Sequence, residues 1–411
     1  MNNKKKLAIL IGMMTSSSVV MAGTFGTDLN NNLLPATGGM GGASVARTVE
    51  PAAAVFGNPA TLTEYNKGTS FTFGATYFDP TLTASENGQG PLVGSFVPEG
   101  FEKESRTDPY LVPTVAITQA FGEKLVVGMG VTVQSGVGSD FRESGLGGDP
   151  VGELVMFNAN LGVGYKLTEN LSLGATATLG NGYFQASLSG DTASTHAFGA
   201  RGTLGVKYDM GATSFGAYYK TELVLEYDDY ISDGSGGFWS DDVAQPEEYA
   251  IGIANNSLMG GNLQINADVI HKNWSSANFY KDFYRDQTVF ALGAQLTTGA
   301  AQWRIGYSHA KDPIKRNLPL AEEIGIGNNN VIGGPGGPVS VTGAVVEYFQ
   351  ATNAAAIWED TVTAGIGYQV TPNIKVDVHA AYTIERDQDI GSLNVEASAW
   401  QAGLGLTWHF E

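Results

Sequence analysis

Hydrophobic and polar residues alternate along most of the chain, and the last segment shows the pattern most clearly. One face of that segment is apolar and carries Trp400, Ala402, Leu404, Leu406, Trp408 and Phe410. The opposite face is small or polar and carries Gln401, Gly403, Gly405, Thr407 and His409. Successive side chains of a strand point to opposite faces, so this alternation predicts β-strands with one lipid-facing and one lumen-facing side. A soluble β-sandwich would also alternate, with its apolar face against a second sheet.

Turn residues divide the pattern into fourteen alternating segments, an even number as in bacterial outer-membrane barrels. The segments are residues 68–79, 109–121, 124–138, 153–166, 170–188, 196–209, 212–229, 246–256, 261–273, 287–297, 300–310, 360–370, 373–386 and 397–410. The connections alternate between tight turns and long loops. The long loops are residues 80–108, 139–152, 189–195, 230–245, 274–286, 311–359 and 387–396. Barrels of this class have short periplasmic turns and long extracellular loops, so both chain ends are predicted on the periplasmic side. In loop 311–359 the Gly/Pro stretch 333–338 is expected to bend rather than pair.

The stretch of residues 38–65 has neither a strand pattern nor a long helical one. It begins with Gly38, Gly39, Gly41 and Gly42, which allow close backbone approach. A short helical turn is expected after residue 51, a proline. We interpret this stretch as a plug inside a barrel. Glycines on the predicted lumen faces would leave room for it. They are Gly128, Gly130, Gly162, Gly164, Gly365, Gly367, Gly403 and Gly405.

The N-terminus has the pattern of a secretory signal peptide. Three lysines at residues 4–6 precede an apolar run, and Val20, Met21 and Ala22 form a small-residue cleavage pattern. An N-terminal membrane anchor is the alternative interpretation. The expected division is therefore a signal peptide at residues 1–22, a hatch at residues 23–66 and a barrel at residues 67–411.

Composition narrows the classes of function. The net charge of −19 argues against nucleic-acid binding, because phosphates would be repelled. The acidic residues concentrate in predicted loops, as a solvated rim or as a bridge through divalent cations to an anionic outer leaflet. The chain has no cysteine, so disulfides and thiolate metal sites are excluded. After the signal peptide there is no window of about 18 apolar residues, which excludes transmembrane helices.

Candidate catalytic chemistry is sparse. Asp377 and His379 share a face and His409 lies one strand away, an arrangement that could supply an acid/base pair, but no positioned nucleophile follows from the sequence. We therefore assign no catalytic residue, no enzyme activity, no metal site and no cofactor. The predicted lumen cations Arg201, Arg304 and Lys375 could contact a ligand carboxylate. More often such cations pair with lumen acids such as Asp268 and Asp377. Met129, Val131 and Val133 are predicted to face lipid.

Several longer motifs together resemble one protein family. They are AAAVFGNPATL (residues 52–62), PTVAITQAFGEKLVVGMGVTVQSGVGSDF (113–141), NANLGVGYKLTENLSLGATAT (158–178), PEEYAIGI (246–253), NWSS (273–276) and RIGYSHAKDPI (304–314). In this order they are similar to the FadL/TodX family over nearly the whole mature chain. The resemblance implies an all-β, 14-stranded antiparallel outer-membrane barrel with an N-terminal hatch, which carries long-chain fatty acids or other hydrophobic compounds inward.

The resemblance also implies roles for particular residues. Asn58, Pro59 and Ala60 match the hatch motif. Residues 134–138 match a kinked third strand whose break makes a side opening, bordered by Ser135, Gly136 and Gly138, with Gly136 as the expected kink. Residues 110–113 match the preceding strand. The competing interpretation is that residues 135–139 are only the end of a strand. One departure is that Glu411 follows Phe410, where such barrels usually end on the aromatic residue.

These observations predict passive uptake of hydrophobic molecules, such as long-chain fatty acids or related hydrocarbons, across the outer membrane. The expected partners are the hydrophobic substrate, outer-membrane lipid and lipopolysaccharide, with no nucleic acid and with the protein as a monomer. An alternative is a surface anchor or secretion-complex component with the same fold. A transporter needs an apolar pocket that reaches the wall gap, whereas an anchor can have a filled lumen. A plain aqueous porin is disfavoured by the plug.

Overall fold

The structure is a computed structural model that describes residues 32–326 and 329–410. The predicted signal peptide, the first residues of the predicted hatch and Glu411 lie outside the described residues. The strands are β1 (Thr69–Glu86), β2 (Glu102–Glu104), β3 (Tyr110–Phe121), β4 (Leu125–Asp140), β5 (Val151–Lys166), β6 (Leu171–Ser187), β7 (Ser194–Met210), β8 (Thr213–Lys220), β9 (Leu223–Ser232), β10 (Phe238–Gln245), β11 (Glu248–Leu258), β12 (Leu263–Lys272), β13 (Gln287–Thr298), β14 (Ala301–Ala310), β15 (Val331–Gly334), β16 (Gly337–Ser340), β17 (Asp360–Thr371), β18 (Ile374–Ile390) and β19 (Leu393–Phe410).

Fourteen of these strands form a closed antiparallel barrel, which confirms the predicted fold. Each strand pairs with its neighbours in chain order, and β19 pairs with β1 from Phe410 opposite Thr69 to Leu393 opposite Glu86. Strand β2 pairs only with the far end of β1. Strand β9 pairs with β10 and β15 pairs with β16, and these two hairpins are not part of the barrel wall.

Helices occur in the N-terminal segment and in the loops. They are the α-helices α1 (Pro51–Phe56) and α2 (Gly343–Asn353) and the 3-10 helices η1 (Thr37–Met40), η2 (Pro59–Tyr65), η3 (Met259–Gly261) and η4 (Tyr280–Asp282). Within the described ranges, none of the helices is both long and apolar enough to cross a membrane. Residues 32–66, hereafter the plug, contact the inner faces of strands around the barrel.

The exposure of the wall follows the predicted parity. On β19 the side chains of Trp400, Leu404 and Trp408 are exposed, whereas Gln401 and Thr407 are buried. Met129 also faces outward as predicted, with 54% of its surface exposed. Val133 has the same parity but is not exposed to lipid as predicted: it is only 4% exposed, because it packs in an apolar cluster with Leu33. The register of β4 shifts immediately after Val133.

Three segment predictions were wrong at the extracellular end. The segment 212–229 is two strands, because β8 leaves the wall at Lys220 and the next alternating residues pack beneath the loops as β9. The predicted loop 387–396 is a tight turn between Ile390 and Leu393, because β18 and β19 continue pairing beyond their predicted ends. The stretch 333–338 pairs as well as bends, since Gly333 lies opposite Pro338 in the β15–β16 hairpin.

Candidate functional site

The predicted hatch motif lies where the plug meets the wall. The Asn58 side-chain amide donates to the carbonyl oxygens of Val45 (2.8 Å) and Val206 (3.1 Å). Its oxygen accepts a hydrogen bond from the backbone N–H of Ala60 at 3.1 Å and so caps η2, in which Pro59 is the first residue. A single buried side chain therefore connects two parts of the plug to strand β7.

Glycines make the wall thin where the plug backbone touches it. A Cβ atom added to Gly174 would lie 2.3 Å from the carbonyl carbon of Pro59, and one added to Gly216 would lie 2.2 Å from the carbonyl oxygen of Val45. Plug backbone atoms would lie similarly close at Gly164, Gly293 and Gly306, and plug side-chain atoms at Gly128, Gly130, Gly205 and Gly405. No residue with a side chain fits at such distances without movement of the plug or the wall. The fit explains why many lumen-facing positions carry glycine.

Buried carboxylates bind the plug backbone at two further places. Asp268 on β12 accepts hydrogen bonds from the backbone N–H groups of Ser44 (2.6 Å) and Val45 (2.9 Å). Glu50, which belongs to the plug, accepts from the N–H groups of Ala36 (2.9 Å) and Thr37 (2.7 Å) at the start of η1. Each of these carboxyl groups satisfies two successive buried N–H groups of the plug, so the bonds fix the path of the plug.

The predicted ligand cations Arg304 and Lys375 bind an acid of the protein itself. The Arg304 guanidinium donates to Asp377 at 2.8 Å, and both side chains are almost fully buried. Lys375 lies 3.2 Å from Asp377 and donates to the carbonyl oxygen of Val49 in the plug at 3.0 Å. This geometry matches the alternative in which lumen cations pair with lumen acids. Arg201 is also buried on the lumen side of β7.

The histidines of the candidate acid/base pair bind other groups. His379 Nδ1 is 3.0 Å from the carbonyl oxygen of Pro35 in the plug, and its Nε2 is 3.2 Å from the side chain of Gln401. His409 Nδ1 is 2.8 Å from the Ser70 hydroxyl. The bond to Pro35 joins the wall to the plug, and the other two join neighbouring strands of the wall. In the described part of the chain, no three His, Cys, Asp or Glu side chains are grouped so that they could hold a metal ion.

The ladder between β3 and β4 stops short of the extracellular end. Pairing extends from Phe121 opposite Leu125 to Thr114 opposite Thr132, although both strands continue. The next residue of β3 is Pro113, which has no N–H to donate. The edges of β3 from residue 110 to 113 and of β4 from residue 133 to 139 therefore face each other unpaired. We call this break the side opening.

The residues predicted to border an opening lie on its β4 edge. Ser135, Gly136 and Gly138 pair with β5, opposite Met156, Val155 and Glu153. They therefore belong to a strand with one paired and one unpaired edge. The register shifts between Val133 and Ser135, so Gln134 is the bulged residue, two residues before the predicted kink at Gly136, which stays a prediction. Its side-chain oxygen accepts a 2.6 Å bond from Asn158 on the neighbouring strand.

An apolar cluster lines the inner side of the opening. It joins Leu33 of the plug to residues of β1, β3, β4, β5 and β19 around the break, namely Phe78, Tyr110, Val112, Val133, Val155 and Ala399. At the extracellular end the break is closed by the 105–106 segment. The Asp140 N–H donates to the Ser105 hydroxyl oxygen (2.9 Å), and the Asp140 carbonyl oxygen accepts from the N–H of Arg106 (2.9 Å). The opening is thus a bounded window with an apolar frame.

The extracellular loops form a second, larger apolar cluster over the barrel. Its centre is a continuous set of aromatic rings with neighbouring centroids 4.8–6.1 Å apart. We call this set the aromatic cap; it consists of Phe184, Tyr227, Tyr230, Trp274, Phe279, Tyr280, Phe283, Tyr284 and Phe349. Sequence reasoning missed it because most of its members come from predicted loops, whose conformation no periodicity reveals.

Helix α2 connects the aromatic cap to the strands beside the opening. Near its end, the carbonyl of Thr352 accepts a 2.5 Å bond from Ser139 on β4. The Asn353 amide donates to the carbonyls of Val151 (2.6 Å) and Ser187 (3.3 Å). The loop that contains α2 is therefore bound to the tops of β4, β5 and β6.

The chain was compared with known protein families, curated sequences and solved structures. A family profile described as "Outer membrane protein transport protein (OMPP1/FadL/TodX)" matches residues 15–234. No curated protein sequence matches the chain. The toluene transporter TodX from Pseudomonas putida is similar at 18% identity and a TM-score of 0.65, over 92% of this chain and 98% of that one.

Two further solved structures are similar in fold. The toluene transporter TbuX from Ralstonia pickettii shows 19% identity and a TM-score of 0.61, over 92% of this chain and 98% of that chain. A FadL homologue from Pseudomonas aeruginosa shows 15% identity and a TM-score of 0.64, over 95% of this chain and 100% of that chain. At these identities the likeness concerns the fold.

Proposed function

The chain belongs to the OMPP1/FadL/TodX family of outer-membrane transport proteins, and on that premise we propose that it mediates passive uptake of small hydrophobic molecules through the side opening. As a member of this family it lies in the outer membrane. A substrate would enter at the aromatic cap, pass to the apolar frame of the opening and leave sideways into the lipid. Residues 23–66 would act as the hatch that blocks a direct aqueous route.

The side opening is the observation that carries this proposal. A barrel wall in hydrocarbon normally pairs every backbone group, because unpaired N–H and C=O groups are costly there. This wall leaves β3 and β4 unpaired over several residues and lines the inner side with apolar side chains. Each Å² of apolar substrate surface removed from water contributes roughly 25 cal/mol, so an apolar frame favours a hydrophobic solute over an ion.

The lumen charges favour uncharged substrates. Arg304 and Lys375 are bound to Asp377, and Lys375 also holds the plug. A fatty-acid carboxylate would have to break these bonds to reach either cation. The aromatic cap and the toluene transporters among the similar structures lead us to propose monoaromatic hydrocarbons before long-chain fatty acids.

A reversible cross-link tests the route. The chain has no cysteine, so the pair Val112→Cys and Val133→Cys introduces the only two thiols, one on each edge of the opening. Oxidation should close the opening, and we expect toluene uptake by a knockout strain that carries this variant to fall severalfold and to recover on reduction. Thiol titration verifies that the bond forms.

A second pair controls for the cross-link itself. Thr114 and Thr132 are already paired on the same two strands, with their hydroxyl oxygens 3.3 Å apart. A disulfide there joins strands that the ladder already holds, so oxidation should leave uptake unchanged. Equal uptake by the oxidised Val112/Val133 variant and its reduced form would overturn the lateral route. Parallel assays with labelled oleate compare the two substrate classes.

One observation favours the alternative function of a surface anchor. The cavity between the plug and the wall near Asn58 and Gln134 holds only about 10 Å³, so this part of the lumen is filled. An anchor requires no transport path, whereas a transporter must part these contacts as substrate passes. If the parental protein supports uptake of neither toluene nor oleate above the knockout, the anchor is the better function.

A further inference from the structure

The outer surface of the barrel contains an apolar groove that is separate from the side opening. The groove has a volume of about 560 Å³ and crosses strands β8, β11, β12, β13 and β14. Its floor includes Ala267 and Val269 on β12, which are small and only partly exposed. The ladders on both sides of β12 are continuous in this region, so the groove is a depression in the wall and not a hole.

Large side chains form the two sides of the groove. Ile251 and Ile253 rise from β11, with exposures of 63% and 44%. Phe290 and Leu292 rise from β13, each 51% exposed. In the register, Ile253 and Leu292 are the two partners of Ala267, so the smallest residue lies between two large ones. This shape fits a narrow, flexible apolar chain that lies along β12.

Basic residues gather directly above this groove. Lys281, Arg285, Lys311, Lys315 and Arg316 lie in the two segments that adjoin β13 and β14 at the extracellular end, and we call them the basic rim. The two segments are tied together by an Arg285 bond to the carbonyl of Ile314 (2.9 Å). Lys311 follows the last residue of β14, four residues above Tyr307, which lines the groove. At 3.3–3.4 Å per residue this is roughly 13 Å.

The net charge of the two segments that carry the basic rim is opposite in sign to that of the whole protein. Residues 281–286 and 311–316 contain five basic and three acidic residues, a net charge of +2, on a chain with a net charge of −19. One of the acids, Asp312, is buried and lies 3.0 Å from Arg316 and 3.9 Å from Arg285. Lys281 donates to the side-chain oxygen of Asn278 (2.8 Å) and Lys315 to the carbonyl of Lys281 (2.5 Å). These two hydrogen bonds go to neutral acceptors. The Lys281 ammonium also lies near the Glu222 carboxylate, and Lys315 is the lysine best suited to an external anion.

We propose that the groove and the basic rim together form a binding site for a phosphorylated lipid of the outer leaflet, namely the lipid A part of lipopolysaccharide. An acyl chain fills the groove along β12, and a lipid A phosphate binds the lysines of the basic rim. The charge complementarity selects the occupant, because a neutral lipid would use the groove alone. The site lies on the lipid side of an unbroken wall and takes no part in the transport route.

Native mass spectrometry of the purified full chain in detergent tests the site, with hexa-acylated bisphosphorylated lipid A as the probe. The rim variant Lys281→Gln/Lys311→Gln/Lys315→Gln should weaken lipid A binding about tenfold or more, because charge-assisted contacts are lost. Its control is Lys67→Gln/Lys124→Gln/Lys166→Gln, which changes the net charge equally at the opposite, short-turn end and should bind like the parent.

A second variant tests the groove. Ala267→Phe fills the floor and should weaken binding both of lipid A and of lipid A without its phosphates, whereas Ala402→Phe, on the exposed face of β19, should change neither. Dephosphorylated lipid A should not distinguish the rim variant from the parent. Heat-modifiable gel mobility confirms that each variant folds. Equal lipid A binding by the rim variant and its control, or parental affinity for phosphatidylglycerol equal to that for lipid A, would overturn the proposal.

Discussion

The substitution Gly174→Ala tests whether the wall is shaped for the plug backbone. Gly174 on β6 lies beside the turn of the hatch motif, and a Cβ atom there would be 2.3 Å from the Pro59 carbonyl carbon and 2.4 Å from the Ala60 nitrogen. Ordinary contact begins at 3.4 Å, so the neighbouring backbone must move by about 1.1 Å. Strand β6 is paired along both edges, so we expect the plug to move rather than the wall.

The displacement strains the bonds that hold the turn. The Asn58 bonds to Val45 and Val206 are already 2.8 Å and 3.1 Å long, and a shift of this size breaks at least one of them. Overpacking of a tight site costs typically about 1–3 kcal/mol. If that cost falls on the docked plug, the population of displaced plug rises by roughly 5- to 150-fold.

Two measurements follow this population. Hydrogen exchange of the Ala60 N–H should accelerate by the same factor, because the amide is protected by the Asn58 side chain. Planar-bilayer recordings should show more frequent brief openings. The matched control is Gly202→Ala on β7, where the added Cβ atom would meet nothing nearer than 3.9 Å. Exchange in Gly174→Ala that equals exchange in Gly202→Ala would refute the idea that glycine is required by close approach.

Three further predictions concern the plug and the cap. Asn58→Ala removes three hydrogen bonds of a buried side chain and should accelerate hydrogen exchange of the Ala60 N–H more than Gly174→Ala does. Heat-modifiable gel mobility should show normal membrane insertion. Unchanged hydrogen exchange and unchanged uptake would leave the hatch motif without a role. Burial and the nearby Asp377 raise the pKa of Glu50 above its ordinary 4.5, so docking of the plug should weaken as the pH rises from 4.5 through the raised pKa. Glu50→Gln should therefore flatten the pH dependence of heat unfolding. Equal pH dependence of heat unfolding in Glu50→Gln and the parent would contradict the role of Glu50. Asn353→Ala removes the bonds that hold the end of α2 to β5 and β6, so protease added to intact cells should cut the 311–359 loop more often than in the parent. Cleavage at the parental rate would contradict this role of Asn353.

The inward or outward direction of the wall side chains could be predicted from the sequence, because it depends only on the alternation of neighbouring residues. Alternation with period two places Trp400 outside and Gln401 inside regardless of what fills the barrel, and the structure shows both so. The strand ends were less certain. Residues after Lys220 keep the same alternation whether they stay in the wall or leave it, so periodicity could not reveal that β9 is a separate strand.

The candidate site was only partly predictable. The resemblance placed an opening near residues 134–138, but the register that identifies Gln134 as the bulge depends on pairing with β5. Pro113 was a usable signal, since a proline inside a strand ends ladder pairing on one edge. The partners of Arg304 and Lys375 and the aromatic cap depend on contacts between residues far apart in the chain, which a single sequence does not encode visibly.

The glycine contacts also bear on how this fold changes over evolution. Where a glycine of the wall meets the carbonyl of Pro59 or Val45, the fit is between two backbones and involves no side chain of the plug. Such a backbone-to-backbone contact constrains the path of the plug backbone and leaves most plug side chains free to vary. Proteins that share only 15–19% of their residues with this chain have a similar fold. We therefore expect wall glycines to persist among relatives at positions where the plug residues that they touch have diverged.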